Sequence, residues 1–359
     1  MTKTHLLVLC GGKSAEHAIS LISAWNLLKT ISHESFDVTL IAIDKTGNWW
    51  LQDTARFLEQ EAHPERISIP QRTSKVWVNP GPETDSFYLS DQGRFLPQVD
   101  VVFPLLHGPN GEDGSIQGLL KHLQIPYIGP SVLGASICMD KDVAKRLMLQ
   151  ANIPTSDFIA LYKSAAHPDF QAVKEQLGLP LFVKPANLGS SVGINKVVDA
   201  SSYHAALEEA FQFDEKIIIE AFVEGQEVEC AVLGNDDCIV SEPGTYIHED
   251  EFFDYDTKYL KGKEVGMQIP YAKLNAEQIE ALKAISLQAY KALECKGLAR
   301  VDTFVTPEGE FLVNEINTLP GFTQNSMYPL LMDAAGIPYN NLIKKLCALA
   351  ISRFRPMDS

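Results

Sequence analysis

The chain has 359 residues, 45% of them hydrophobic and 21% charged, and a formal net charge of −16 at pH 7. That length calls for about two or three domains, and the composition is that of a soluble globular protein. The negative balance argues against non-specific binding to nucleic acid or to an anionic membrane surface, so a phosphate ligand must be met by local lysines, arginines and backbone N–H groups, or through a metal.

His5–Cys10 reads as an apolar run suited to a buried parallel strand. Gly11-Gly12 turns the chain, and Ser14 is placed to cap a helix that carries Ile19, Ile22, Leu27 and Leu28 at helical spacing. Strand, glycine turn and helix make an α/β nucleotide-binding half. Gly-Gly-Lys-Ser at 11–14 misses the phosphate-loop spacing and is a weak signal. Glu16, in the first helical turn, either complements the helix dipole or takes a cationic group at the strand's C-terminal end. Phe36–Ile43 is a second strand. Residues 47–98, with Trp49, Trp50 and Trp77, read as short strands and loops elaborating the first domain. Val99–Leu106 is another buried strand. It leads into the glycine-rich turn His107–Gly114 and a helix over Ser115–His122. His107 is either a polar substrate contact or a satisfied structural histidine.

A helix over Met139–Asn152 opens the middle of the chain. Lys141 falls in its first turn, where a cation opposes the dipole and points to a bound anion. Leu181–Pro185 and Ile194–Val198 are strands. The loop between them holds Gly189, Ser190, Ser191 and Gly193, and can close its N–H groups over phosphate oxygens, with Lys184 as a point charge beside it. A flexible hairpin loop is the alternative. Lys216–Glu220 and Val228–Gly234 are strands. The crossover between them, with Glu220 and Glu227, could hold an adenine and its ribose, although any strand–turn–strand has this pattern. Residues 244–268, which include Lys258 and Tyr259, are aromatic, charged and aperiodic, as in a lid loop. Asn275 caps a helix with Gln278 at the box position, an apolar face of Ile279, Leu282, Ile285 and Leu293, and Gly297 as terminator. A last helix over Asn341–Phe354 packs through Leu342, Leu346, Leu349 and Ile351.

The chemically richest stretch is Ala299–Gly321. If Val305 pairs with Glu310 across the 306–309 turn, Arg300 lies opposite Glu315 and Asp302 opposite Val313. Arg300 and Asp302 then share a face, as do Glu315 and Asn317, with Asp302 and Glu315 diagonal neighbours roughly 7–8 Å apart. These are hard oxygen donors without His or Cys, which suits Mg²⁺ or Mn²⁺ shared with substrate phosphates. Arg300 beside them would hold an anion. A solvated acidic hairpin is the plainer alternative. The Pro-Gly turn that follows lets a backbone N–H face a ligand.

The six cysteines, Cys10, Cys138, Cys230, Cys238, Cys295 and Cys347, form no C-x-x-C and read as reduced, mostly buried thiols. No signal peptide is visible, and no run approaches the ~18 apolar residues of a membrane span. A cytoplasmic protein is expected.

Several motifs in this order resemble one family. They are Gly-Gly-Lys-Ser-Ala-Glu-His at 11–17, His107-Gly with Gly-Glu-Asp-Gly at 111–114, Met-Asp-Lys at 139–141 and Lys-Pro-Ala-Asn-Leu-Gly-Ser-Ser-Val-Gly at 184–193. Tyr-Asp-Thr-Lys-Tyr at 255–259, Ala-Arg-Val-Asp at 299–302 and Asn-Glu-Ile-Asn-Thr-Leu-Pro-Gly at 314–321 complete the set. Jointly they resemble the D-alanine–D-alanine ligases of the ATP-grasp superfamily over essentially the whole chain, and the 47–98 insert resembles the longer form. The resemblance implies an α/β protein whose ATP-grasp part is α+β. A Rossmann-like parallel sheet (1–130) would be followed by two antiparallel-sheet ATP-grasp domains (131–219 and 220–359), the last with lid loop 244–268. It implies ATP-dependent joining of two D-alanines through an acyl phosphate, for peptidoglycan precursor synthesis, in a homodimer.

The resemblance also implies roles. Lys141, Lys184 and the 187–193 loop with Ser191 meet ATP phosphates, Glu220 the adenine and Glu227 the ribose. Asp302, Glu315 and Asn317 hold two Mg²⁺ or Mn²⁺ ions. Arg300 and the Gly321 N–H stabilise the oxyanion. Glu16 takes the first substrate's ammonium, and His107 is a substrate contact. Lys258 serves ATP and, with Ser326, the second substrate's carboxylate. Ser190 links Glu16 to Tyr259 and pins the lid. Ala221 stands where many members have Lys, and Ala18 where Glu or Val is common. Tyr259, rather than Phe, resembles dipeptide formers over the variants that make D-alanyl-D-lactate. A ligase that accepts D-lactate or D-serine second, or an ATP-grasp module without chemistry, is the competing expectation.

Overall fold

The computed structural model describes residues 3–70, 72, 74–80, 86–189, 192–247 and 266–354. β1 (Thr4–Gly11) leads through the Gly11-Gly12 turn into α1 (His17–Thr30) and on to β2 (Phe36–Ile43). β1 and β2 pair in parallel, and Leu6–Cys10 is fully buried, as a strand covered on both faces must be. Gly11 has a φ of +87°, and a β-carbon there would run into the Ile43 carbonyl oxygen, so only glycine fits where the chain leaves the sheet. The helix begins later than Ser14 suggests. Glu16 is at its N-cap, and Ser14 Oγ accepts instead from the Glu16 N–H at 3.2 Å.

The 47–98 insert extends this sheet. β3 (Trp49–Gln52), α2 (Thr54–Leu58), β4 (Lys75–Val78), β5 (Phe87–Leu89) and β6 (Arg94–Phe95) build outward from β2 with antiparallel pairing. β7 (Val101–Pro104) pairs in parallel on the other side of β1 and is followed by α3 (Ser115–His122). The strand order is β6-β5-β4-β3-β2-β1-β7, so the Rossmann-like parallel part is β2-β1-β7 and the seven-stranded sheet is mixed.

The helix expected over 139–152 forms, two residues shorter at each end, and an unexpected helix precedes it. α4 (Val132–Met139) stops and α5 (Lys141–Gln150) starts at Asp140, whose backbone is extended and whose side chain accepts from the Val143 N–H at 3.1 Å. This break puts Lys141 at the first position of α5. β8 (Phe158–Tyr162), α6 (Phe170–Leu177), β9 (Leu181–Pro185), β10 (Asn195–Val197), α7 (Ala200–Phe213) and β11 (Lys216–Ala221) follow, with the antiparallel order β10-β9-β11-β8. α6 and α7 cover Leu181, Val183, Ile217 and Ile219. Alternation therefore turns Lys184 and Glu220 to the opposite face.

β12 (Gln226–Gly234), β13 (Ile239–Val240), β14 (Thr245–Ile247), β15 (Gly266–Gln268), α8 (Ala276–Ala292), β16 (Gly297–Val305) and β17 (Phe311–Asn317) come next. The second antiparallel sheet runs β13-β12-β16-β17, while β14 and β15 pair with each other at the two ends of the 244–268 stretch. α8 packs Ala289, Tyr290 and Leu293 against Ala299, Val301, Val313 and Ile316, which leaves Arg300 and Asp302 on the other face. Its capping box is formed. Gln278 N–H donates to Asn275 Oδ1 (3.0 Å) and Asn275 N–H to Gln278 Oε1 (3.1 Å). Asn275→Ala is expected to cost about 1 kcal/mol, read as a shift of the urea midpoint at unchanged slope. The helix ends before Gly297. Glu294 takes the left-handed conformation at φ 56°, and Gly297 opens β16.

α9 (Met327–Ala334) and α10 (Tyr339–Arg353) return to the first sheet, where Leu342, Leu346 and Ala350 share a core with Leu6, Val8 and Phe103. Ile351, expected in that face, is 48% exposed. The cysteines carry no disulfide. Among the described residues no helix is long and apolar enough to cross a membrane.

Candidate active site

The β16–β17 turn closes one residue later than the sequence suggests. Val305 pairs with Phe311, not Glu310, and Thr303 pairs with Val313. A regular ladder in this register would set Asn314 opposite Asp302 and point Glu315 and Asn317 to the wrong face, because side chains alternate residue by residue. An irregularity between Asp302 and Thr303 absorbs Asn314 as a bulge. Beyond it Asp302 lies directly opposite Glu315, and Arg300 opposite Asn317. The expected Arg300–Glu315 and Asp302–Val313 pairs and the diagonal Asp302–Glu315 relation are thus corrected, while the shared face survives. The displaced Asn314 donates its amide to Glu227 Oε1 at 3.0 Å. On β12, Glu229 pairs with Asp302, so Glu229, Asp302 and Glu315 form a row across the sheet.

Arg300 is the cation of this row. Its Nε and Nη2 donate to the two Asp302 oxygens at 2.7 and 2.6 Å, and Nε lies 3.0 Å from Glu229 Oε2. Burial works against its charge, but Asp302 and Glu229 hold its pKa well above the usual value. Asn317 Nδ2 donates to Asp302 Oδ2 at 2.8 Å. Burial pushes the Asp302 carboxyl up to about 6, opposed by Arg300 and reinforced by Glu227 and Glu315. The row has more anions than Arg300 can balance, and its donors are carboxylate and amide oxygens. A hard divalent cation fits such a set. Among the described residues no group of three His, Cys, Asp or Glu side chains is placed to hold a metal; Asp302, Glu315 and Asn317 are two carboxylates and an amide.

Facing the row is the lysine side of the cleft. Lys141 Nζ donates to the Leu188 carbonyl at 2.6 Å and lies 3.7 Å from Glu315 Oε2, so it joins the 186–193 loop to the second sheet. Lys184 Nζ is 2.5 Å from Glu220 Oε2. Burial opposes its charge, yet Glu220 and Glu315 leave its pKa raised. Burial likewise opposes the Glu220 charge, but Lys184 and Lys145 outweigh it and lower that pKa. Lys145, on the other Glu220 oxygen at 2.9 Å, was missed by sequence reasoning. The available signal was its place four residues after Lys141 on one helix face. A cavity of about 430 Å³ opens beside the 221–224 connection, lined by Ser156, Ala221, Val223, Thr306 and Leu312 among others.

The first sheet closes the third side. A β-carbon on Gly108 would fall 2.6 Å from Glu16 Oε2, and one on Gly189 would fall 3.8 Å from it, so this carboxylate sits between the 107–114 and 186–193 loops. Burial keeps His107 neutral, against the pull of Glu16 and the Leu319 carbonyl. Its Nδ1–H donates to Leu319 O at 3.1 Å, which leaves Nε2 to accept from Ser23 Oγ at 3.2 Å. Glu112, named in the sequence only as part of a motif, accepts from the Leu319 N–H at 3.2 Å and the Gly108 N–H at 2.8 Å. Both backbone groups of Leu319 are therefore held by the first sheet's loop, two residues after Asn317. Gly321 lies beside Ser326, whose Oγ accepts from the Thr323 N–H at 3.1 Å. The assignments to Ser190, Ser191, Lys258 and Tyr259 lie outside the described residues.

Burial, then Glu16, pushes the Glu112 carboxyl from 4.5 up to about 8. Between those values the folded protein keeps a proton that the unfolded chain has released, so this group's contribution to stability falls as pH rises through the window. Glu112→Gln should lack that slope. Melts at about pH 5 and pH 8.5 are expected to show the parent losing ground to the variant on the alkaline side; an equal difference at both ends would mean that Glu112 is ionised throughout.

Two family models match, D-ala D-ala ligase N-terminus over residues 5–130 and D-ala D-ala ligase C-terminus over residues 147–348. A Chromobacterium violaceum protein named D-alanine–D-alanine ligase A is 46% identical over 356 residues, covering 99% of this chain and 97% of its own length. Among solved structures, the D-alanine–D-alanine ligase from Coxiella burnetii matches with a TM-score of 0.85 at 34% identity, covering 99% of this chain and 95% of that one. VanG D-Ala:D-Ser ligase from Enterococcus faecalis matches with a TM-score of 0.81 at 33% identity, covering 97% and 100%. Similarity that runs from end to end, over a cleft with this arrangement of charge, has one meaning: the chain belongs to the D-alanine–D-alanine ligase family.

Proposed function

We propose that the protein joins two D-alanines into D-alanyl-D-alanine, with conversion of ATP to ADP and phosphate, for peptidoglycan precursor synthesis. The observation that carries this reading is the Arg300–Asp302–Glu315 row set against Lys141 in a chain of this family. In this reading ATP lies between the two antiparallel sheets. Glu220 meets the adenine and Glu227 the ribose. Lys141, Lys184 and the 187–193 loop, Ser191 included, meet the phosphates. Asp302, Glu315 and Asn317 would hold two magnesium or manganese ions, which when bound neutralise phosphate charge and polarise the transferred phosphoryl group.

Glu16, with His107 nearby, takes the first D-alanine's ammonium and leaves its carboxylate to attack the γ-phosphorus. A phosphorus–carboxylate oxygen bond forms, the bond to the leaving oxygen breaks, and ADP departs from an acyl phosphate. The second D-alanine, held through its carboxylate by Lys258 and Ser326, attacks the acyl carbon with its amine. Arg300 and the Gly321 N–H face the resulting oxyanion, which collapses with release of phosphate. Ser190 and Tyr259 draw residues 244–268 over the site, so that water does not hydrolyse the acyl phosphate. The divisions at 130 and 219 and a homodimeric assembly belong to the same proposal.

Coupled ADP release across D- and L-amino acids tests it. Release with D-alanine alone and none with L-alanine is expected. Turnover only when D-serine or D-lactate is added would replace the dipeptide reading, and the VanG likeness makes D-serine the sharper control. Nucleotide binding without turnover on any pair would leave a binding module.

A further inference from the structure

Lys145 takes no part in the scheme above, yet it is among the most deeply buried charged side chains of the protein, at 1% exposed. Its ammonium has three oxygens around it: Thr155 Oγ1 at 2.6 Å, Ser156 Oγ at 2.9 Å and Glu220 Oε1 at 2.9 Å. The two hydroxyls accept its hydrogen bonds, and the Glu220 oxygen is its ion-pair partner. Lys184 holds the other oxygen of the same carboxylate at 2.5 Å.

Glu220 needs only one cation for neutrality, and burying a second ammonium carries a desolvation cost of several kcal/mol. The two lysines differ in what surrounds them. Lys145 is tied on every side to α5's own neighbourhood, the 155–156 segment and β11. Lys184 stands on β9, next to the loop proposed to close on phosphates, and is free to exchange Glu220 for a phosphate oxygen once nucleotide arrives. A buried carboxylate whose only cation turned away would be left uncompensated. It would then rotate or take up a proton.

We propose that Lys145 is a positioning residue that keeps the Glu220 carboxylate charged and aimed at the nucleobase while Lys184 serves the phosphates, and that it thereby sets the preference for adenine. This rests on the reading that Glu220 meets the base. A charged carboxylate accepts from the 6-amino group of adenine and repels the 6-carbonyl of hypoxanthine. A protonated one can donate to that carbonyl, so the discrimination is lost.

The test compares initial rates with ATP and with inosine triphosphate for the full-length parent, Lys145→Met and Glu220→Gln. Lys145→Met is expected to lower the ATP-to-ITP ratio of kcat/KM by about tenfold or more, mainly through KM for ATP. A role confined to stability would depress both nucleotides alike. An unchanged ratio in folded Lys145→Met, or in Lys145→Gln should the methionine variant not fold, overturns the proposal. Glu220→Gln tests the reading beneath it. If that variant keeps the parental ratio, Glu220 does not face the base and both ideas fall. If it loses the ratio while Lys145→Met retains it, only the role of Lys145 falls.

Discussion

The Asp302→Asn variant is expected to fold and to lose about a thousandfold in turnover, since charge stabilisation by a divalent ion on a phosphoryl group is worth several kcal/mol and each 1.36 kcal/mol is tenfold. Asp302 is 2% exposed and lies at the centre of the row, directly opposite both Glu229 and Glu315. The substitution preserves shape and one carbonyl that can still accept from Arg300. It removes the charge that, with Glu315, makes the cleft attractive to a cation. Arg300 keeps Glu229 at 3.0 Å as its counterion, so the fold should tolerate the change. Titration with Mn²⁺ followed by electron paramagnetic resonance, beside saturating kinetics, separates binding from chemistry. Parental Mn²⁺ affinity with parental turnover would remove Asp302 from the site.

Arg300→Met should lower kcat by about 10²–10³, the ~2.7–4 kcal/mol associated with a main oxyanion donor, with much smaller change in ATP affinity. Here the structure adds a consequence for stability. Arg300 is the shared counterion of two buried carboxylates, Asp302 and Glu229, and taking one partner from a buried pair costs about 3–5 kcal/mol. The variant should therefore melt earlier as well as turn over slowly. Combining it with Glu229→Gln relieves one stranded charge, so stability is expected to recover in part while turnover does not. If stability and turnover recovered together, the slow rate would reflect misfolding and Arg300 would lose its assigned place opposite the oxyanion.

Much of the architecture was legible locally. β2, β9 and α3 fall at their expected bounds, and the Asn275–Gln278 box is formed as the spacing requires. Such features depend on residues within a turn or two of one another. The errors share a different origin. α4 was not anticipated because its short, nearly all-apolar run has no polar face to show a helical period, and the Asp140 cap separates it from the expected helix. Short strands were expected in the 47–98 insert and are present, but their pairing outward from the β2 edge is not written inside four-residue segments.

The site shows the same division at higher stakes. Residue types and spacing were enough to identify the family and to single out, as candidates, the oxygen-bearing side chains on β16 and β17 and the lysines beside the loop. They were enough because charge and ligand chemistry belong to the side chains themselves. Whether Glu315 and Asn317 face Asp302 or the core was settled by the bulge at Asn314. A bulge depends on the partner strand and on Glu227 two strands away, not on the local run. Likewise Lys145 meets Glu220, and Glu112 and His107 grip Leu319, across separations of 75, 207 and 212 residues. Contacts at that distance along the chain exist only after the sheets have packed, which is why their partners could be known from the folded molecule alone.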